Sequence, residues 1–215
     1  MPEKNPVAAG DRAYEDVKSR ILSSELAGGD LISEGEVADR LNISRTPVRE
    51  AFLRLQAEGF MKLYPKRGAM ITPIARSEAR DVIDARNVLE THAVRQATST
   101  PERTERLVAE LRENLQLQDD RIAERDLAGY ALADAEFHSA IIRAGENALI
   151  AQFYATLYDR QVRMARSSVS SDNAVADDVV GAHAALLDAI EARDAERFEE
   201  LLAEHLKSIH EVLIR

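Results

Sequence analysis

The stretch Ser44-Arg45-Thr46-Pro47-Val48-Arg49-Glu50-Ala51 constrains the fold of this chain more than any other. Ser44 can accept hydrogen bonds from the free N–H groups of a helix start. Pro47 stands in the first turn, where no intrahelical N–H bond is lost. Val48, Ala51, Phe52 and Leu55 follow at helical spacing and give an inner face. Arg45 and Arg49 are four apart and project from one side of that helix, with Thr46 beside them. Arginine is shaped to pair with guanine O6 and N7, so the pattern reads as the exposed start of a helix that enters the major groove.

The flanking residues extend this into a motif. Ser33-Glu34-Gly35-Glu36 has capping-box spacing and opens a short helix ending near Leu41, and Asn42-Ile43 make the turn into the next. Upstream, Tyr14, Val17 and Ile21 mark an amphipathic helix expected to stop at Gly28-Gly29. Downstream, Gly59 is expected to end the recognition helix. Met61–Tyr64 and Ala69–Thr72 then flank Pro65-Lys66-Arg67-Gly68, a two-stranded hairpin with a basic tip. Such a tip can lie along phosphates or enter the minor groove. An arginine pair on a lone helix is usually a solvated face. Here it comes with a cap, a preceding helix-turn and a basic hairpin in order.

The charge balance fits when taken by segment. The whole chain carries −10, which is unusual for a DNA binder, but residues 40–75 carry +5, residues 1–39 carry −5 and the remainder carries −10. The positive charge lies where DNA would be met, and an acidic body discourages indiscriminate binding elsewhere.

A length of 215 residues allows one or two domains. No apolar run approaches membrane-spanning length, the first residues lack a signal-peptide core, and the absence of cysteine excludes disulfides and thiolate chemistry. A cytoplasmic location without membrane partners is expected. The domain boundary is expected within Thr72–Arg76, giving residues 1–75 and 76–215, with Ser77 capping the next helix. Candidate helices follow at Glu78–Ala97, Pro101–Gln118, Asp126–Ala144, Asn147–Ser167, Asp172–Ala192 and Ala195–Ile214. The expected fold class is mostly α: an N-terminal winged helix-turn-helix with a small β hairpin, then an all-α helical bundle.

The bundle carries a second constellation. Asp134 and His138 are one helical turn apart, with Ala135, Ile141 and Ile142 on the same side. His183 sits among Val179, Val180, Leu186 and Leu187, and His205 among Leu201, Leu202 and Ile209. Three histidines and an aspartate from three helices thus face one core. This donor set suits a divalent metal ion such as Zn, Ni, Mn or Fe. The plain alternative is a set of hydrogen-bonded core histidines. His92 reads as exposed and His210 as marginal, and both are left outside the set. Arg86 shares a helix side with Val82, Leu89 and Ala93, so it should point inward and could receive a carboxylate, unless it only pairs with Glu90, four residues on. Arg160 is a weaker candidate of the same kind.

The region from Ser44 through Phe60, with the following Pro65–Ile71, resembles the winged helix-turn-helix of GntR-family transcriptional regulators. The C-terminal region resembles the FCD ligand-binding domain of the FadR branch, through Arg86 with Glu90, Asp134-Ala135-Glu136-Phe137-His138, Asn147, Gly181-Ala182-His183 and Glu204-His205-Leu206. The resemblance covers about residues 10–215. It implies a homodimer on a palindromic double-stranded operator, with Arg45 and Arg49 reading bases and Ser44, Thr46, Lys66, Arg67 and Gly68 assisting. It implies a divalent metal held by Asp134, His138, His183 and His205, and a small carboxylate effector contacting the metal and Arg86, with Arg160 and Asn147 as further candidate contacts. Members are commonly repressors released by effector. Gly35 stands where some members carry a basic residue, and the metal set argues against a fatty acyl-CoA effector. The chain is therefore expected to be a ligand-responsive regulator and not an enzyme. The competing readings are a metal-dependent hydrolase built on the Asp/His site, and a DNA-binding protein whose bundle is purely structural.

Overall fold

The computed structural model describes residues 9–65, 67–169 and 173–214, and it divides after Ile74 into two compact units. The first contains α1 (Ala9–Leu22), β1 (Leu31–Ile32), α2 (Glu34–Leu41), α3 (Arg45–Ala57), β2 (Met61–Tyr64) and β3 (Gly68–Ile71). The second is wholly helical among the described residues. It contains α4 (Arg76–Ala97), α5 (Pro101–Ala123), α6 (Leu127–Ala144), α7 (Ala148–Ala155), α8 (Tyr158–Val169), α9 (Asn173–Glu191), α10 (Ala195–Ile209) and α11 (Glu211–Ile214). The expected fold class is what the chain adopts.

In the first unit the apolar stripes of three helices close on one core. Tyr14, Val17 and Ile21 of α1 meet Val37 of α2 and Val48, Phe52 and Leu55 of α3, and the hairpin adds Met61 and Ile71. The α2 capping box forms as read: Ser33 Oγ accepts from the Glu36 N–H at 3.1 Å and Glu36 Oε2 accepts from the Ser33 N–H at 2.7 Å. Asn42, left-handed at φ 52°, turns the chain into α3. Ser44 occupies the N-cap position of α3, but its side chain makes no cap hydrogen bond.

The wing is larger than a hairpin. Leu31 and Ile32 pair antiparallel with Met70 and Ala69, giving a three-stranded sheet of order β1-β3-β2. Gly68 is the residue that permits it. Its φ is +91°, and a Cβ there would lie 2.4 Å from the Ile32 carbonyl oxygen. The first helix stops at Leu22, before the expected glycine pair, because Ser24 takes a left-handed conformation and the Leu26 N–H bonds back to Arg20.

In the second unit α6 is the central element, packed against α4, α5, α7 and α8, while α9 and α10 pack together and against α5 and α4 respectively. Four expectations shift, the first being that α5 runs past its expected end at Gln118 to Ala123. Helix α4 starts at Arg76 with Ala75 at its N-cap, so Ser77 lies inside the first turn and does not cap it. The helix expected over Asn147–Ser167 breaks at Thr156-Leu157 into α7 and α8, where i→i−3 bonds to Phe153 and Tyr154 close the turn without glycine or proline. The helix expected over Ala195–Ile214 breaks at His210, the C-cap of α10, and resumes as α11. Among the described residues no helix is long and apolar enough to cross a membrane.

Candidate metal centre and nucleic-acid interface

On the first unit, Ser44, Arg45, Thr46 and Arg49 are all exposed at the start of α3. The contrast with their neighbours is informative. Arg54, later on the same helix, lies 3.5 Å above the Tyr14 ring and pairs with Glu58, and Arg40 pairs with Asp16. Arg45 and Arg49 form no ion pair among the described residues. A guanidinium kept unpaired in water retains its donors for an incoming acceptor. Gly35 has the Arg45 guanidinium as its nearest side-chain neighbour, 3.4 Å from where a Cβ would stand. The space beside Gly35 is thus taken by Arg45. Arg67 is exposed at the wing tip next to Gly68, and Lys66 lies outside the described residues.

In the second unit the structure brings His138, His183 and His205 together from α6, α9 and α10. All three are buried, and one ring nitrogen of each lies within 4.8 Å of the others. Nε2 of His183 is 3.2 Å from Nε2 of His138 and 3.1 Å from Nε2 of His205. Asp134, one turn before His138, sets its Oδ1 3.6 Å from His183 Nε2 and accepts from the Tyr130 hydroxyl. Asp134 therefore borders the three imidazoles without joining their tightest grouping.

The outer nitrogens explain why the inner ones are bare. His138 Nδ1 lies 2.7 Å from Glu90 Oε2. Burial would raise the Glu90 carboxyl, but His138 and Arg86 hold it down at about 2. It is ionised and can only accept, so Nδ1 carries the proton. His183 Nδ1 lies 2.8 Å from Gln118 Oε1, whose amide nitrogen donates to Asn114 Oδ1. Gln118 thus also accepts. Two Nε2 lone pairs therefore face each other at hydrogen-bond distance. His205 can give a proton to one of them only by leaving its own Nδ1, which has no partner, as a bare acceptor. With three neutral rings the His138–His183 contact has no proton to share, whereas a divalent cation bound by the three lone pairs would satisfy both inner contacts. Burial, reinforced by nearby positive charge, lowers the pKa of His183 and His205 well below the ordinary imidazole range, which keeps their lone pairs available. The oriented outer nitrogens are the support that metal-binding imidazoles usually have, and the donor set fits a divalent ion.

Arg86 is buried in the same region. Its Nε donates to Glu90 Oε1 at 2.9 Å, and its Nη2 is buried without a hydrogen-bond partner among the described residues. The helix-neighbour pair and the inward position are therefore both realised. The two other candidate contacts are placed differently. Asn147 is exposed, and its amide oxygen caps α7 by accepting from Leu149 and Ile150. Arg160 is partly exposed and donates to Glu78 and to the Thr156 carbonyl. Neither contact involves the histidines. Glu90 as the partner of His138, and Gln118 as the partner of His183, were not identified as parts of the site from sequence. A signal for Gln118 existed: it falls seven residues after Leu111 on the buried side of α5. A cavity of about 260 Å³ lined by Val179, Ala182, Leu201 and Ser208 borders His205.

His92 is exposed, as expected. His210 is buried, its Nδ1 2.9 Å from Ser168 Oγ. Burial, with help from Arg86 and His138, pushes its pKa down to about 3. Below about pH 6.5 the unfolded chain then binds a proton that the folded chain does not. The stability contribution is complete above that pH and is lost progressively as pH falls toward 3. A His210→Gln variant is expected to lose about 2 kcal/mol less than the wild type between pH 6.5 and pH 5, measured by urea denaturation. Equal losses would show that His210 is not a source of acid sensitivity.

Residues 9–71 match the family described as bacterial regulatory proteins, gntR family, and residues 81–208 match the FCD domain. The HTH-type transcriptional repressor RspR of Escherichia coli (strain K12) is 29% identical over 202 residues, which cover 92% of this chain and 86% of the relative. The HTH-type transcriptional regulator BphR of Paraburkholderia xenovorans (strain LB400) is 30% identical over 213 residues, covering 97% and 86%. A crystal structure of a transcriptional regulator GntR from Rhodococcus sp. RHA1 aligns with a TM-score of 0.81 over 97% of this chain and 98% of that one, at 20% identity, which shows a shared fold.

Proposed function

The chain belongs to the gntR family of bacterial regulatory proteins and carries an FCD domain, and from that membership we propose that it is a repressor whose helical bundle binds a divalent metal ion and a small organic acid that together set its affinity for a palindromic operator. One observation supports the sensory half above the others. The three Nε2 atoms converge beside a buried guanidinium whose Nη2 has no partner. Leaving such a donor unsatisfied is costly, and a ligand carboxylate would satisfy it. A repressor sign is favoured by the relative RspR, which is named as a repressor.

Asp134, His138, His183 and His205 would hold the metal. When bound, it supplies a fixed positive charge and vacant coordination positions for ligand oxygens. Arg86 would bind and orient the acid, while Glu90 fixes both Arg86 and His138. Arg45 and Arg49 would read bases, with Ser44, Thr46, Arg67 and Gly68 completing the contact surface and Lys66 assisting at the wing. In a homodimer, two such faces must meet major grooves about 34 Å apart. The acid can alter operator affinity only by its difference in affinity for the DNA-competent and DNA-incompetent arrangements. The protein acts in the cytoplasm in this reading, and its metal serves sensing and not hydrolysis.

The test is a thermal-shift screen of mono-, di- and tricarboxylates and sugar acids on metal-loaded protein and on the Arg86→Ala variant. A specific acid is expected to stabilise the wild type by about 2.7 kcal/mol at a hundred times its dissociation constant. It should not stabilise the variant, and it should weaken operator binding. An unchanged operator affinity with the acid bound would sink the proposal.

A further inference from the structure

Beside Arg86, a second buried polar group is left open. The Tyr154 hydroxyl lies 2.5 Å from Glu90 Oε1, the same oxygen that receives Arg86 Nε, and 3.1 Å from Gln161 Oε1. Tyr154 and Gln161 are both buried, and the far nitrogen of the Gln161 amide has no hydrogen-bond partner. A phenol has one hydrogen, so it cannot donate to both neighbours. Glu90 is the stronger claimant, being ionised, acceptor-only and closer. The Tyr154–Gln161 contact is then satisfied when the amide presents its N–H₂ to the phenol oxygen, a rotation of the amide that needs no other movement. After that rotation the Gln161 carbonyl oxygen takes the buried position whose present occupant, the amide nitrogen, has no hydrogen-bond partner among the described residues. The network around Glu90 then ends in one open donor, Arg86 Nη2, and one open acceptor, Gln161 Oε1.

We infer that Gln161 determines effector specificity, its amide carbonyl accepting a hydrogen bond from a hydroxyl on the acid whose carboxylate Arg86 holds. The inference rests on the acid-effector reading above and narrows it: a plain carboxylate fills only the donor, whereas a hydroxylated carboxylate fills both. A site with a buried acceptor discriminates against a ligand that cannot donate to it, because that acceptor is then buried unpaired.

The experiment is calorimetric titration of the full-length, metal-loaded protein with three matched pairs: lactate and propionate, malate and succinate, gluconate and hexanoate. The expected result is that, in the pair that binds, the hydroxylated member binds about tenfold or more tightly than its deoxy counterpart. The preference should shrink to under about threefold in Gln161→Met, which keeps an unbranched side chain of similar length. Pyruvate should bind no better than propionate, since an oxo group cannot donate. Equal binding of both members of the productive pair by the wild type overturns the inference while leaving the acid-effector reading intact. So does a preference that survives in Gln161→Met, or tighter binding of pyruvate than of lactate. If no acid binds at all, the underlying reading fails and this inference with it. Because the wild-type comparison needs no variant, a poorly folded Gln161→Met protein would not prevent a decision.

Discussion

Replacing Arg49 with alanine is expected to lower specific operator affinity about ten- to a hundredfold, and replacing Arg45 to do the same, because each bidentate arginine–guanine pair contributes roughly 1–3 kcal/mol of discrimination. Both side chains are exposed and form no ion pair among the described residues, so neither change should disturb the core of the N-terminal unit. Arg54→Ala is the matched control on the same helix. Arg54 is engaged with Tyr14, Asp11 and Glu58, so its loss should cost stability and leave sequence discrimination in place. Fluorescence anisotropy with operator and scrambled duplexes, at several salt concentrations, separates the outcomes. A base-reading arginine loses affinity for the operator alone, whereas a phosphate-binding one weakens both duplexes and lowers the salt slope by about one. Uniform weakening by both Arg45→Ala and Arg49→Ala would refute base reading by this helix.

The second large effect concerns the histidines. Adding Zn²⁺ or Mn²⁺ to metal-free protein at a hundred to a thousand times the dissociation constant should stabilise it by about 2.7–4.1 kcal/mol. For a chain of this size that corresponds to a rise in Tm of roughly 5–15 °C. A chelator should reverse the rise. In His183→Ala the rise should disappear. The metal-free variant should also be less stable than the metal-free wild type, since it leaves Gln118 Oε1 buried without its donor and opens a void beside Phe137, which stacks on the His183 ring. These two effects separate a sensory from a structural bundle. A structural histidine predicts the loss of stability in the variant with no response of the wild type to metal or chelator.

Most of the architecture was legible because its signals are local. The capping box at Ser33, the glycine at the wing and the 3.6-residue stripes of Val48–Leu55 each act over a few residues. The three histidines were legible for a similar reason: a polar residue in an apolar stripe must face the core. What the sequence hid depends on partners far along the chain. Strand β1 has only two residues, and it exists because β3 offers an edge across from it. The break at Thr156-Leu157 carries no glycine or proline and is imposed by packing. Ser44 and Ser77 have the composition of caps, but tertiary context leaves one without a cap hydrogen bond and places the other inside the helix. The pairing of Glu90 with His138 spans 48 residues, and no spacing rule reaches that far. Arg160 looked like a second inward arginine, yet its guanidinium goes to Glu78 on α4.

Glu90 gives one carboxylate oxygen to Arg86 and Tyr154 and the other to His138. In the proposed scheme, the residue that anchors the acid and the residue that anchors the metal therefore lean on a single buried charge. Thermodynamic reciprocity then requires that whatever factor the metal contributes to acid affinity, the acid returns to metal affinity. A repressor wired in this way responds to a conjunction: acid without metal, or metal without acid, is read as less than the sum of the two. The cell's metal supply would thus set the gain of a switch that outwardly answers only to the acid.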